Sequence, residues 1–76
     1  MTELFHSTTD TDSADARRAV IDLKLVEKIH FRNVFYPEVQ AQFEKLGGSK
    51  LPALWDGTRL VEGKAAVLAA LATLSG

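Results

Sequence analysis

Apolar and polar positions fall in short blocks along this chain, and the period changes from block to block. Glu3-Leu4-Phe5-His6-Ser7 is apolar and aromatic at its centre and runs into a polar stretch, the pattern of a first strand. That stretch, Ser7-Thr8-Thr9-Asp10-Thr11-Asp12-Ser13, holds side chains that favour turns and helix caps. Ala16, Ala19, Val20 and Leu23, with Leu25 or Val26 beyond, then recur at steps of three and four and predict an amphipathic helix. Thr11 or Asp12 is expected to cap it, with Asp15 placed for a capping-box-like exchange with Asp12. His30-Phe31-Arg32-Asn33-Val34-Phe35 returns to period two, and its aromatic and β-branched content predicts a second strand.

Tyr36-Pro37 ends that strand, and Pro37 suits the first turn of a helix. Val39, Phe43 and Leu46 form one apolar stripe, closed by Gly47-Gly48. Leu51-Pro52-Ala53-Leu54-Trp55 is apolar throughout, with a proline admissible only where a strand starts. Asp56-Gly57 signals a hairpin, and Thr58 to Val61 is the expected return strand. Glu62 to Leu74 is rich in alanine and leucine and predicts a last helix with Ala66, Val67, Ala70, Leu71 and Leu74 facing inward. The expected order is strand, helix, strand, helix, hairpin, helix. The first strand–helix–strand unit implies a parallel pair, and the hairpin an antiparallel one. The expectation is therefore an α/β domain over residues 1–76, with helices on both faces of a mixed four-stranded sheet.

Composition narrows the chemistry. The 76 residues contain no cysteine, so the chain offers no disulfide staple and no thiolate for redox work, zinc binding or nucleophilic attack. His6 and His30 have no partner at ligand spacing, so no metal site is expected and strand-end packing is their ordinary role. A net charge of −1 without a Lys/Arg cluster gives no footprint for nucleic acid or for an anionic membrane surface. The apolar run Ala65 to Leu71 is much too short to span a bilayer. With no signal-peptide pattern at Met1-Thr2-Glu3, a cytoplasmic location is the default expectation.

In this order the blocks resemble the thioredoxin fold in its smallest, glutaredoxin-type form, which is also that of the N-terminal domain of glutathione transferases. Leu4-Phe5-His6-Ser7 and the polar turn after it are similar to the family's first strand and active-site loop. Phe35-Tyr36-Pro37-Glu38 resembles the entry to its second helix, and Lys50-Leu51-Pro52-Ala53-Leu54 its Val-Pro-Ala-Leu segment, whose proline follows a cis peptide bond. Asp56-Gly57 through Leu60-Val61-Glu62-Gly63 resembles its hairpin and last-helix entry. The resemblance implies a three-layer sandwich in the order β1-α1-β2-α2-β3-β4-α3. It places the family's Cys-x-x-Cys or Cys-x-x-Ser position at Thr11-Asp12-Ser13-Ala14, where no sulfur stands and no catalytic residue is expected. Asp10, Asp12 and Asp15 put negative charge where a helix start normally offers positive potential.

The same resemblance implies a ligand edge at Leu51-Pro52, where backbone groups pair with a bound peptide like an added strand. It implies a γ-glutamyl contact at Glu62 and Gly63. Glu62 matches the first residue of the transferases' Glu/Gln-Ser pair and Gly63 replaces the serine, while Lys64, Ala65 and Ala66 stand where glutaredoxins carry acids. Two functions follow as expectations. One is a redox-inactive module that binds a protein or peptide partner, or a second copy of itself, with Trp55 as an added contact if the hairpin exposes it. The other is a glutathione-binding protein or degenerate transferase domain.

Overall fold

The computed structural model describes residues 1–76. Its elements are β1 (Thr2–His6), α1 (Thr11–Asp22), β2 (Ile29–Asn33), α2 (Pro37–Lys45), β3 (Ala53–Trp55), β4 (Leu60–Glu62) and α3 (Lys64–Ser75). The strands form one sheet in the order β2-β1-β3-β4. β1 runs parallel to β2, with Phe5 opposite Arg32, and antiparallel to β3, with Phe5 opposite Ala53. β4 pairs antiparallel with β3. This is the mixed four-stranded sheet and element order of a thioredoxin-like α/β sandwich.

Successive strand residues point to opposite faces, and each face is covered by a different layer. Leu4 and Leu54 turn to α1 and α3, where they pack with Ala16, Val20, Leu25, Ile29, Val67 and Leu71. Their neighbours Phe5 and Ala53 turn to α2 and meet Val39 and Phe43, the two rings 5.2 Å apart. Further along the α2 face Glu3 accepts a hydrogen bond from Arg32 at 2.9 Å, and Arg32 also donates to Gln42 of α2. α2 thus covers the sheet with apolar groups at one end and polar groups at the other.

Both connecting helices end in the same way. At α1, Lys24 N–H reaches Ile21 O and Leu25 N–H reaches Val20 O; at α2, Gly47 N–H reaches Glu44 O and Gly48 N–H reaches Phe43 O. This double closure needs a left-handed residue after the helix. Gly47 supplies it freely at φ 86°, whereas Lys24 adopts φ 59° with a full side chain. Gly48 lies so close to Phe43 that a Cβ there would run into the ring.

Several expected boundaries move. β2 stops at Asn33 rather than Phe35, because Asn33 Oδ1 accepts the Phe35 N–H and turns the chain. β4 begins at Leu60, not Thr58, because Asp56 Oδ1 draws Thr58 N–H, Thr58 O–H and Arg59 N–H into the turn. Those donors hold the Asp56 carboxyl down at about 2. Gly57, at φ 101°, follows Asp56 in the tip. Leu25, not Val26, enters the core, because Leu25 lies just past the left-handed Lys24 that closes α1. In α3 Val67 and Leu71 are buried as the period requires, but Ala66 and Leu74 are exposed. α3 meets the sheet chiefly along the short strands β3 and β4 and leans its flank on α1, so its inward stripe narrows to Val67 and Leu71.

Candidate functional site

The topology gathers one set of loops at one end of the sheet. β1 and β2 both end there, β3 starts there, and β4 delivers the chain to α3 there. The segments that meet are Ser7–Asp10, Val34–Tyr36, Lys50–Pro52 and Gly63–Lys64.

Thr11, Asp12, Ser13 and Ala14 form the first turn of α1 rather than a loop, and the cap lies one residue earlier than expected. Asp10 is extended, at φ −101° and ψ 123°, and its carboxylate accepts the Ser13 N–H at 2.8 Å. Neither Thr11 nor Asp12 caps, since each already lies inside the helix. Ser13 is fully buried, and its Oγ accepts the Ser7 N–H at 3.1 Å. That hydroxyl stitches the end of β1 to α1. The exchange expected between Asp12 and Asp15 is replaced by a reach across to the last helix. Lys64 Nζ lies 3.2 Å from Asp15 and 3.8 Å from Asp12. The Asp15 hydrogen bond, and then its charge, raise the Lys64 ammonium above its ordinary value. The starts of α1 and α3 are therefore tied by an exposed, weak ion pair.

His6 closes β1 from inside. It is 6% exposed, stands edge-on to Phe31, and accepts an N–H of Arg17 on Nδ1 at 3.0 Å. Burial, and then the Arg17 charge, push His6 below the ordinary imidazole value. With Arg17 donating to Nδ1, the neutral ring carries its proton on Nε2. The same Arg17 nitrogen donates to Ser7 O at 3.0 Å, so one guanidinium holds both the histidine and the loop after it.

Across the end from these groups, the Leu51–Pro52 peptide is cis and Pro52 is buried. Pro52 O accepts the Gly63 N–H at 2.9 Å. Glu62 Oε1 accepts the N–H groups of Ser49 and Lys50 at 2.7 and 2.8 Å. The Glu62 carboxylate thus anchors the segment that leads into the proline. Between these tethers, Leu51 uses neither its N–H nor its C=O within the chain. Its side chain packs on the Phe5–Phe43 cluster, which leaves the unpaired backbone on a fixed support.

Trp55 is half-buried against the same cluster and belongs to the core's edge. The large exposed rings at this end are Phe35 and Tyr36, at 79% and 52%, with centroids 5.7 Å apart and planes at 82°. The sequence reading placed Phe35 in β2 and missed them. The available signal was Asn33, whose amide side chain caps the strand two residues earlier, together with Pro37, which biases Tyr36 to extended backbone.

Glutathione, implied by the resemblance, meets groups partly engaged. Of those that would hold its γ-glutamyl end, the Gly63 N–H is bonded to Pro52 and Glu62 Oε1 to Ser49 and Lys50, while Glu62 Oε2 has no partner within the chain. No protein-family model and no curated protein matches this sequence. No helix is long and apolar enough to cross a membrane.

Proposed function

We propose that this chain is a non-catalytic binding module that takes an extended peptide from a partner protein as an added strand beside Leu51. The observation that carries this reading is the unpaired N–H and C=O of Leu51, next to a cis proline and held from both sides by Glu62 and the Pro52–Gly63 bond. Backbone pairing of this kind depends on a free donor and acceptor at strand spacing, not on side-chain identity.

The groups around it argue against chemistry. The chain contains no cysteine, and the Ser13 hydroxyl is buried and occupied by Ser7. His6, the imidazole at this end, turns Nδ1 to Arg17 and has no hydroxyl partner. Glutathione binding is the second reading, because a tripeptide could use the same Leu51 edge. For the γ-glutamyl end it finds the Gly63 N–H already bonded to Pro52 and one of the two Glu62 oxygens already taken by Ser49 and Lys50.

The two readings separate in one set of amide spectra. A peptide selected from a random displayed library on this protein is expected to shift the amides of Leu51 and its neighbours, while millimolar glutathione leaves them in place. Glutathione shifting Leu51, Glu62 and Gly63 would favour the second reading. A library that yields no binder, or binders that perturb only other surfaces, would defeat the first.

A further inference from the structure

Phe35 and Tyr36 stand beside the proposed peptide edge, and the fold makes no use of their rings. The residue before them, Val34, packs on the Phe5–Phe43 cluster as Leu51 does, whereas both rings turn outward. They are not on a fraying segment. Phe35 N–H donates to Asn33 Oδ1 at 2.9 Å and Tyr36 N–H to Asn33 O at 3.2 Å. Tyr36 O accepts from Val39 and Gln40, each at 3.0 Å, and Pro37 fixes the helix start. Two nearly perpendicular rings are thus displayed on an ordered backbone. Rings presented with their backbone already ordered cost little further entropy when a ligand covers them.

Their place relative to Leu51 follows from the sheet. Leu51 leads into β3 and Phe35 leads out of β2, with only β1 between those strands. Neighbouring strands lie about 4.8 Å apart, which separates the two positions by roughly 10 Å, or about three residues of extended chain. The charge at this end also has a sign. The five carboxylates of Asp10, Asp12, Asp15, Glu38 and Glu62 outnumber the three cations of Arg17, Lys50 and Lys64.

Resting on the reading above, we infer that the partner segment is an extended basic peptide carrying one apolar anchor. The anchor is a branched aliphatic, proline or aromatic side chain seated in the Phe35–Tyr36 corner, about three residues from the point where the peptide backbone pairs with Leu51. Buried aromatic anchors of this type dominate binding energy, and the charge complement acts mainly on association rate and salt dependence.

The test uses the full chain and peptides selected on it from a random displayed library. The selected sequences are expected to share an apolar position with Lys or Arg nearby. The double variant Phe35→Ala/Tyr36→Ala, whose rings support no core contact, is expected to keep its amide spectrum and to bind at least about tenfold more weakly, while Phe35→Tyr keeps most of the affinity. Raising salt from about 50 mM to about 300 mM is expected to weaken binding several-fold. Unchanged affinity in the double variant, with Leu51 still shifting, would overturn the corner and leave the Leu51 edge standing. Peptides that leave Leu51 unshifted would remove the edge itself. If sedimentation shows wild type as a dimer and the double variant as a monomer, the corner is a self-interface and the inference is wrong.

Discussion

His6 shows how one residue links the core to the site. It accepts a hydrogen bond from Arg17, and no carboxylate contributes to its balance; Phe31 from β2 faces it with an apolar ring. Its folded value lies below the ordinary 6.5, so below that value the unfolded chain takes up the proton more readily than the native one. The stabilisation is complete above about pH 6.5 and is lost as pH falls from there through the lowered folded value. Urea midpoints of the wild type should therefore fall between pH 7 and pH 5, and His6→Asn should flatten that part of the curve. An identical slope in both proteins would mean that His6 is not the group responsible. The residue pattern announced a buried strand end at His6 but not its partner, because Arg17 lies eleven positions away and only the packing of α1 on β1 brings the two together. Ser13 is the same kind of case: a hydroxyl in a cap-like run became a buried stitch to Ser7.

At the scale of elements, period and punctuation were legible and the exact ends were not. Every strand and helix stands where the pattern of apolar positions put it, and Gly47-Gly48 closes α2 as expected. The ends shifted wherever a short polar side chain competed for backbone amides: Asp10 at α1, Asn33 at β2, Asp56 before β4. Several Asx and Ser/Thr residues in a row are nearly equivalent as text, and the chosen cap depends on which one the packed helix leaves extended. The assignment to Asp10 has a direct check. Asp10→Ala should cost about 1 kcal/mol in denaturant unfolding, the usual loss for a removed cap, whereas Asp12→Ala should stay within about 0.5 kcal/mol. The reverse ranking would return the cap to Asp12. The site's elements followed the same rule. The Leu51-Pro52 turn and the Glu62-Gly63 approach were visible as text, but Glu62's bonds to Ser49 and Lys50 belong to segments brought together only by the β3–β4 pairing.

On the scale of the whole molecule, one sheet serves two cores, with α1 and α3 sealing one face and α2 the other. At about 0.05–0.15 kcal/mol per residue, a chain of 76 residues has only some 4–11 kcal/mol in total to spend, and much of its apolar surface is committed to those two layers. Two exposed rings and one unpaired backbone position at the same end are therefore a concentrated exception. The tethers around that end are hydrogen bonds made by Glu62, Ser13, Arg17 and the Pro52–Gly63 backbone pair, while the Lys64 link across α1 and α3 is exposed and contributes little. The central claim is that the Leu51 backbone is the open edge of this fold. Hydrogen exchange of the Leu51 amide measures it directly. In the free protein this amide should exchange far faster than its neighbours in β3, and a saturating selected peptide should slow it by at least about tenfold while leaving the Phe5 and Leu54 amides unchanged. A Leu51 amide already protected in the free protein, or one whose exchange the bound peptide does not alter, would contradict the account.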